Sequence, residues 1–454
     1  MKDTIAAIST AYGEGGIGIV RISGEDALKV LNTIFVPKTK IMERKMTYGH
    51  ICDPVSKETV DEVLAVYMKA PHTYTTEDVV EINCHGSMVS LGKTLSLCYD
   101  AGARPAEEGE FTKRAFLGGR LDLSQAEAVI DLIKAKTDKS FDVAIDQLAG
   151  RLSEKIRAIR GRILDVLVNI TVNIDYPDED IDEIVYEDLG KEIEEITEEV
   201  ETLVKTAGTG RILKEGLRVS IIGKPNVGKS SLMNALLQEQ RAIVTAVPGT
   251  TRDTISENIS IDGIPILLTD TAGIRETENE IEQIGINRSK ESFNNADLII
   301  YMVDISVPLT REDMEIVELL DDRPSLVLLN KQDLTTCVTE EEVRKMLPNS
   351  YLIPVSIARE EGIEQLKAAI LDQVFDGKVY QKNSLTVTNE RHASLLKTAL
   401  SYLNDVKKLI DLKEPLEIIE IDIESGYSVL GEIIGETVTD DVLNEVFSRF
   451  CLGK

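Results

Sequence analysis

The sequence predicts a multidomain α/β chain with an N-terminal α+β domain, an all-α domain, and an α/β domain inserted into the helical one. Short strand-like runs alternate with turns over residues 1–118. Apolar strand-like runs, polar loops and helical segments alternate over residues 216–376, which is typical of a parallel sheet covered by helices. Helical periodicity occupies residues 119–215 and 377–454, so we expect these two segments to form one domain.

Composition limits the classes of function. The 454 residues suffice for about three domains. A net charge of −29 argues against a generally basic nucleic-acid-binding surface, so an RNA contact needs a local basic patch or a partner. No apolar run approaches the roughly 18 residues of a membrane span. Five cysteines lack the CxxC spacing of a zinc site. We therefore expect a cytoplasmic protein without a membrane segment.

The N-terminal domain shows strand and helix patterns without a phosphate-binding loop. We predict strands there over residues 17–22, 63–68 and 79–82. A helix is predicted over residues 88–97. The glycine-rich stretch 13–18 is compatible with a hairpin turn or with a ligand loop. His85, beside a glycine, is compatible with a structural turn residue or with a catalytic group.

The flanking segments carry helical signals. Ser124 and Glu127 have the spacing of a capping box at a helix N-terminus. Further helices are predicted over 389–412 and 429–450. Apolar residues at steps of three and four predict one long helix, with the stripe Ile145, Leu148, Leu152, Ile156, Ile159, Ile163, Leu167, Ile170 and Ile174.

The inserted region opens with a phosphate-binding loop. Residues 223–230, GKPNVGKS, fit the pattern Gly-x4-Gly-Lys-Ser between a strand-like run and a helical run. Glycines there let backbone N–H groups turn inward around phosphate oxygens at a helix N-terminus. Lys229 is then placed to reach the β- and γ-phosphates, and the Ser230 hydroxyl to hold Mg²⁺.

Three more polar motifs follow apolar runs, at strand ends where open α/β sheets bind ligands. They are DTAG at 270–273, NKQD at 330–333 and SIA at 356–358. The Asp333 carboxylate can accept hydrogen bonds from the ring N–H and the 2-amino group of guanine. Adenine lacks this donor pair, so the sequence predicts a site for GTP rather than ATP.

With these motifs the chain resembles the MnmE (TrmE) family of tRNA-modification GTPases over essentially its full length. The resemblance rests on Asn226, on GTTRD at 249–253, on the DTAG and NKQD motifs, and on FCLGK at 450–454. It implies a homodimer of chains with an N-terminal folate-binding domain and a Ras-like P-loop GTPase domain. It also implies tRNA and an FAD- and NADH-dependent MnmG (GidA) type protein as partners. Together they would add an aminomethyl-type group to carbon 5 of the wobble uridine in certain tRNAs.

The motifs and the resemblance together imply a set of GTP contacts. These are Asn226, Val227, Gly228, Lys229, Ser230, Ser231, Thr245, Ala246, Val247, Pro248, Gly249, Thr250, Thr251, Asp270, Thr271, Ala272, Gly273, Asn330, Lys331, Asp333, Ser356, Ile357 and Ala358. Related GTPases commonly have Ala at the position of Ile357.

Hydrolysis must differ from that of Ras-like proteins. Their water-orienting Gln is replaced by Ile274, whose side chain cannot hydrogen-bond water. By resemblance, Glu282 is the catalytic residue that takes this role, through a bridging water. The resemblance also implies that a K⁺ ion supplies the positive charge that an arginine finger supplies elsewhere, and that Thr251 joins Ser230 around Mg²⁺. The K⁺ ligands implied by the resemblance are Asn226, Thr245, Val247 and Thr250.

The resemblance also implies a site for 5-formyl-tetrahydrofolate or a related folate. Its residues are Arg21, Glu81, Arg120 and Lys454. The family often has Lys at position 120, and a guanidinium and an ammonium differ in hydrogen-bond geometry. Cys451 is interpreted either as a catalytic or substrate-positioning thiol or as a small buried residue.

A second interpretation is a K⁺-activated ribosome-assembly GTPase without modification chemistry. Such proteins usually carry an RNA-binding module with a Gly-x-x-Gly clamp beyond the GTPase domain. Here the Gly-x-x-Gly spacings fall within residues 13–18, and the segment after residue 376 has no basic run. These observations favour the modification GTPase.

Overall fold

The chain is divided into two compact units. A computed structural model describes residues 3–175, 186–239, 256–270, 293–320, 323–375 and 385–454. The first unit comprises Met1–Ile130, Gln147–Ile193 and Tyr402–Lys454, and the second comprises Asp131–Asp146 and Glu194–Ser401.

A mixed sheet forms the centre of the first unit. Its strands within the described residues are β1 (Ile5–Ile8), β2 (Gly15–Ser23), β3 (Phe35–Pro37), β4 (Thr47–Cys52), β5 (Thr59–Met68), β6 (Val79–Gly86) and β7 (Arg104–Pro105). Their spatial order is β3-β4-β5-β6-β2-β1-β7, and the pairs are antiparallel except for β1 with β7. The three strands predicted from the sequence are confirmed. Antiparallel pairing of β1 with β2 favours the hairpin interpretation of the glycine-rich stretch.

In the described ranges, two helices cover one face of this sheet. They are α1 (Ala27–Ile34) and α2 (Met88–Asp100), which confirms the predicted helix over 88–97. Alternate strand residues such as Val20, Ile22 and Ile82 are fully buried against these helices. The residues between them in sequence, including Arg21 and Glu81, therefore belong to the opposite face of the sheet.

Further helices follow in the described part of the chain. They are α3 (Glu110–Leu117), α4 (Leu123–Lys134), α5 (Asp138–Leu148), α6 (Arg151–Asp175) and α7 (Tyr186–Glu215). The predicted capping box at Ser124 is wrong by two residues, because α4 begins at Leu123. The reciprocal bonds join Asp122 and Gln125: Gln125 N donates to Asp122 Oδ1 at 3.0 Å, and Asp122 N to Gln125 Oε1 at 3.0 Å.

The single long helix predicted over 145–174 is also wrong, because the chain breaks between α5 and α6. Gly150 has a φ of +89°, which an L side chain rarely adopts. Gln125 Nε2 donates to Leu148 O at 3.0 Å and so satisfies a carbonyl at the end of α5. The apolar stripe continues across the break, so periodicity alone does not reveal it.

The second unit contains a mostly parallel sheet. Its described strands are β8 (Leu217–Ile222), β9 (Ser256–Ile261), β10 (Ile264–Asp270), β11 (Leu298–Asp304), β12 (Ser325–Asn330) and β13 (Tyr351–Pro354). The spatial order is β13-β12-β11-β8-β10-β9, and only β9 runs antiparallel to its neighbour among these strands. The parallel strands therefore all end at one edge of the sheet, as the sequence predicted.

Helices pack on both faces of this second sheet. The described ones are α8 (Lys229–Glu239), α9 (Arg311–Leu320), α10 (Glu340–Met346) and α11 (Ile363–Phe375), with one 3₁₀ turn at Ile357–Arg359. Among the residues that the structure describes, two apolar clusters form the cores on the two faces. Ile300 and Leu328 belong to one, Tyr301 and Val327 to the other. The Ras-like α/β class predicted for this region fits this arrangement.

The C-terminal segment is helical but not continuous. Its helices are α12 (Glu390–Asp411), α13 (Leu416–Ile434) and α14 (Asp440–Ser448). The prediction over 389–412 is confirmed, whereas the helix predicted over 429–450 is interrupted by Gly435, with a φ of +89°. A Cβ on Gly435 would lie 2.7 Å from Phe116 Cε2, so close packing requires glycine there. None of the helices in the described ranges has the length and hydropathy needed to cross a membrane.

Candidate functional site

The phosphate-binding loop lies between β8 and α8, at the carboxyl edge of the second sheet. Its φ angles are +150° at Gly223, +63° at Asn226 and +106° at Gly228. A Cβ would lie 2.6 Å from Met302 O at Gly223, and 2.7 Å from the Asn330 amide nitrogen at Gly228. Both positions therefore require glycine. Asn226 belongs to a residue type that tolerates the left-handed region.

Lys229 lies over this loop. Its ammonium donates to Gly223 O at 2.7 Å and to Lys224 O at 2.9 Å. An ammonium carries three donors, and phosphate oxygens can replace these carbonyls as acceptors. Ser230 and Ser231 lie in the first turn of α8, where an anion finds backbone N–H groups and the helix dipole.

Asn330 connects the phosphate loop to the SIA motif. Its side chain is buried at the end of β12, with the residue 3% exposed. Asn330 Nδ2 donates to Val227 O at 2.7 Å, and Ile357 N donates to Asn330 Oδ1 at 3.3 Å. One side chain thus holds two ligand-binding loops together. The sequence indicated only that Asn330 belongs to the guanine motif, not that it forms this link.

A hydrogen bond from Ser356 orients the Asp333 carboxylate and favours its ionised form. The buried Ser356 donates its hydroxyl to Asp333 Oδ1 at 2.7 Å, and this bond is the main cause that lowers the pKa of Asp333. Ile357 and Ala358 follow in the 3₁₀ turn. An ionised carboxylate at this place can accept both guanine donors.

Lys331 and Lys224 make further ion pairs at this edge. Lys331 Nζ lies 2.6 Å from Asp304 Oδ2, and Lys224 Nζ lies 2.6 Å from Oδ2 of the buried Asp313. Burial opposes ionisation of Asp304, but the hydrogen bonds from Lys331 and Ser306 together outweigh it and lower the pKa of Asp304. No sequence pattern singled out Lys224, Asp304 or Asp313, because the partners in each pair are distant in sequence.

Part of the predicted GTP site falls outside the described residues. This part comprises Thr245, Ala246, Val247, Pro248, Gly249, Thr250, Thr251, Thr271, Ala272, Gly273 and Glu282. Asp270 is the last residue of β10, paired in parallel register with Ile221 of β8. Of the predicted cation ligands, Ser230 and Asn226 are described, and both are at least partly exposed. Their side-chain oxygens are of the kind that a hard cation prefers.

The predicted folate residues come together in the first unit. Arg21 and Glu81 are cross-strand partners on β2 and β6, with Arg21 Nη2 2.9 Å from Glu81 Oε1. Arg21 Nη1 also donates to Gly453 O at 3.5 Å, and Phe111 N donates to Lys454 O at 3.2 Å. Burial lowers the pKa of Lys454, and the positive charge of Arg21 lowers it further.

Tyr74 links Arg120 to this group. The Arg120 Cζ lies 4.8 Å from the Tyr74 ring centroid, and the Arg21 Cζ lies 5.5 Å from it. Arg120 Nη1 also donates to Tyr74 O at 3.1 Å. An isolated tyrosine carries no motif, so the sequence did not single out Tyr74.

The structure also bears on the interpretations of Cys451 and His85. Cys451 is exposed, so its interpretation as a small buried residue is wrong, and its role as a thiol stays a prediction. His85 lies in β6 rather than in a turn. Its Nδ1 lies 2.6 Å from Asp61 Oδ1, and this hydrogen bond raises the pKa of His85.

Comparisons with known proteins cover the whole chain. The model of the MnmE helical domain matches residues 123–451, and the model of the GTP-binding protein TrmE N-terminus matches residues 4–120. The tRNA modification GTPase MnmE of Alkaliphilus metalliredigens is 52% identical over 459 residues, with 100% of both chains covered. The protein of the same name from Clostridioides difficile is 49% identical over 459 residues, with 100% of both covered.

Solved structures resemble a smaller part of the chain. The crystal structure of a point variant of Aquifex aeolicus Era bound to GDP.AlF4⁻ is 26% identical and covers 40% of this chain and 65% of that chain, with a TM-score of 0.30. A TM-score this low does not bear on the fold.

Proposed function

This chain belongs to the MnmE family of tRNA modification GTPases, and from that premise we propose that it hydrolyses GTP to drive a modification at carbon 5 of the wobble uridine in tRNA. The observation that carries the proposal is Asn330, which joins the phosphate loop to the guanine-edge loop in the described structure. The cluster of Arg21, Glu81 and Lys454 in the other unit supports a second, folate-binding site.

Each part of the GTP site has a chemical role. Backbone N–H groups of the loop and the Lys229 ammonium bind the phosphates, and Asp333 selects guanine. Ser230 and Thr251 are the proposed Mg²⁺ ligands. Glu282 is the proposed residue that orients the attacking water. Mg²⁺ neutralises charge that develops on the phosphates.

A bound K⁺ ion is proposed to supply the charge that an arginine finger supplies elsewhere. Hydrolysis is then expected to be faster in K⁺ than in Na⁺, by about tenfold or more, because a fixed cation stabilises the transition state. Phosphate release measured in the two chlorides at equal ionic strength tests this. Asn226→Gly keeps the left-handed backbone but removes the side-chain ligand, and is expected to abolish the difference. Equal rates for the wild-type chain in both salts would reject the K⁺ proposal.

The modification chemistry is proposed to use a folate held by Arg21, Glu81, Arg120 and Lys454. The folate supplies the one-carbon unit, and an FAD- and NADH-dependent partner of the MnmG type works with a homodimer of this chain. Cys451, exposed close to Lys454 in sequence, is proposed as a thiol that acts on or positions the substrate. We place this activity in the cytoplasm, with domains at 1–118, 119–215 plus 377–454, and 216–376.

Mass spectrometry of tRNA nucleosides tests the proposed function. Cells that lack this chain are expected to lose aminomethyl-type wobble uridines, and the wild-type gene is expected to restore them. Cys451→Ser is expected to fail to restore them while the purified variant retains GTP hydrolysis. Unchanged uridines in the deletion strain, together with accumulated ribosome precursors, would overturn the proposal in favour of an assembly GTPase.

A further inference from the structure

A cavity opens beside the predicted folate residues. It has a volume of about 630 Å³ and is lined by residues that include Arg44, His72, Tyr74 and Arg120. Tyr74 also contacts Arg21, which is paired with Glu81. The cavity and the Arg21–Glu81 pair are therefore neighbours that share one aromatic ring.

The charge of the cavity lining is opposite to that of the chain. Two arginines, Arg44 and Arg120, line it beside His72, and no carboxylate is among the lining residues that the structure describes. The chain as a whole has a net charge of −29. Glu43 lies outside the lining, with its carboxylate 3.6 Å from Arg44 Nε, and offsets part of the charge. The cavity is thus suited to an anionic group.

The backbone around the cavity is unusual as well. Arg44 and Thr76 have φ angles of +57° and +65°, which non-glycine residues seldom adopt. Arg44 N donates to Tyr67 O at 2.8 Å, and the Arg44 guanidinium donates to His72 O, so backbone and side chain are both fixed. Strained residues of this kind cluster at ligand sites.

The pteridine ring and the glutamate tail of a folate carry different polar groups and therefore suit different residues of this site. The pteridine ring carries an N–H and an amino group side by side, as guanine does, and a carboxylate such as Glu81 accepts such a donor pair. The glutamate tail carries carboxylates, which pair with guanidinium groups. Arg120 donates one bond to Tyr74 O, and a guanidinium has five N–H donors, so it retains donors for a ligand.

We propose that this cavity binds the glutamate tail, and that the chain prefers polyglutamylated over monoglutamylated folate. The inference rests on the proposed folate-dependent function. Each added γ-linked glutamate brings one more carboxylate toward Arg44 and His72. A substitution at Arg44 tests binding of the glutamate tail separately from binding of the pteridine ring. Arg44 lines the cavity and has no contact with the Arg21–Glu81 pair among the described interactions.

Calorimetric titration of the full-length chain tests the proposal. The probes are 5-formyl-tetrahydrofolate with one glutamate and with three. The wild-type chain is expected to bind the triglutamate about fivefold more tightly, and added salt is expected to reduce the ratio. Arg44→Gln is expected to bring the ratio close to one, and Arg44→Lys to keep most of it. Lys45→Gln removes the same charge one residue away, outside the lining, and is expected to leave the ratio unchanged.

The outcomes separate this inference from the function on which it rests. If the wild-type chain binds both folates equally, or Arg44→Gln weakens both equally, the tail site is overturned and the folate site stands. If neither folate binds, both are overturned. If Arg44→Gln weakens tRNA binding and leaves the folate ratio unchanged, the cavity belongs to a tRNA phosphate and the inference is overturned.

Discussion

Asp333→Asn is expected to lower the affinity for GTP by about 10³-fold and to create affinity for xanthosine triphosphate. Two charge-assisted hydrogen bonds to guanine disappear, each worth about 1.5–3 kcal/mol when buried against a ligand. The amide that replaces the carboxylate presents a donor to guanine, which also has donors there. Xanthine has a carbonyl where guanine has its amino group, so it can accept from that amide.

The surroundings of Asp333 make this a clean substitution. The Ser356 hydroxyl donates to Asp333 Oδ1 and can donate equally to an amide oxygen. The side chain therefore keeps its orientation. Competition against a fluorescent guanine nucleotide gives both affinities. Asp262→Asn makes the same chemical change at an exposed turn of the same unit and is expected to have no effect. A variant that keeps tight GTP binding would show that Asp333 does not read guanine.

Gly228→Ala is expected to reduce GTP affinity by about 100-fold or more. The φ of +106° is unfavourable for alanine, at a cost of about 1–3 kcal/mol. Its Cβ would also lie 2.7 Å from Asn330 Nδ2, which now donates to Val227 O. Either the loop or Asn330 must move, so the N–H groups that bind phosphate lose their alignment. Fluorescent nucleotide binding and thermal unfolding measure the two effects.

A second glycine provides the matched control. Gly208 lies exposed within α7, and an added Cβ there meets no atom within 4 Å. Gly208→Ala is expected to leave GTP affinity unchanged and to stabilise the chain by about 0.5–1 kcal/mol through helix propensity. If Gly228→Ala bound GTP as well as Gly208→Ala, nucleotide binding would not depend on the geometry of this loop.

Local patterns predicted the motifs around the GTP site but not the contacts that connect them. The loop at 223–230 and the motif ending at Asp333 obey fixed spacing, because backbone and ligand geometry dictate residue types there. Asn330 holds Val227 and Ile357, residues 103 and 27 positions away, and no local spacing encodes that. Lys224 with Asp313 belongs to the same class of long-range contact.

The sequence patterns also did not predict where two helices are interrupted. The apolar stripe passes through Gly150 and the helical pattern passes through Gly435, so neither pattern marks the end of a helix. What accompanies each break is a contact from elsewhere: Gln125 on Leu148 O, and Phe116 against Gly435. In the N-terminal domain, resemblance supplied Arg21, Glu81, Arg120 and Lys454, and the residue patterns alone did not.

The contact of Arg21 with Gly453 joins residues 432 positions apart. During synthesis, the strands of the N-terminal sheet are therefore complete long before Gly453 is added, and the contact with Arg21 can form only after that. Closing so long a loop costs chain entropy that a contact between residues near in sequence does not. Chains interrupted or clipped before residue 451 would lack the Gly453 carbonyl that accepts from Arg21. Formation of the Arg21 contact therefore depends on synthesis having reached Gly453.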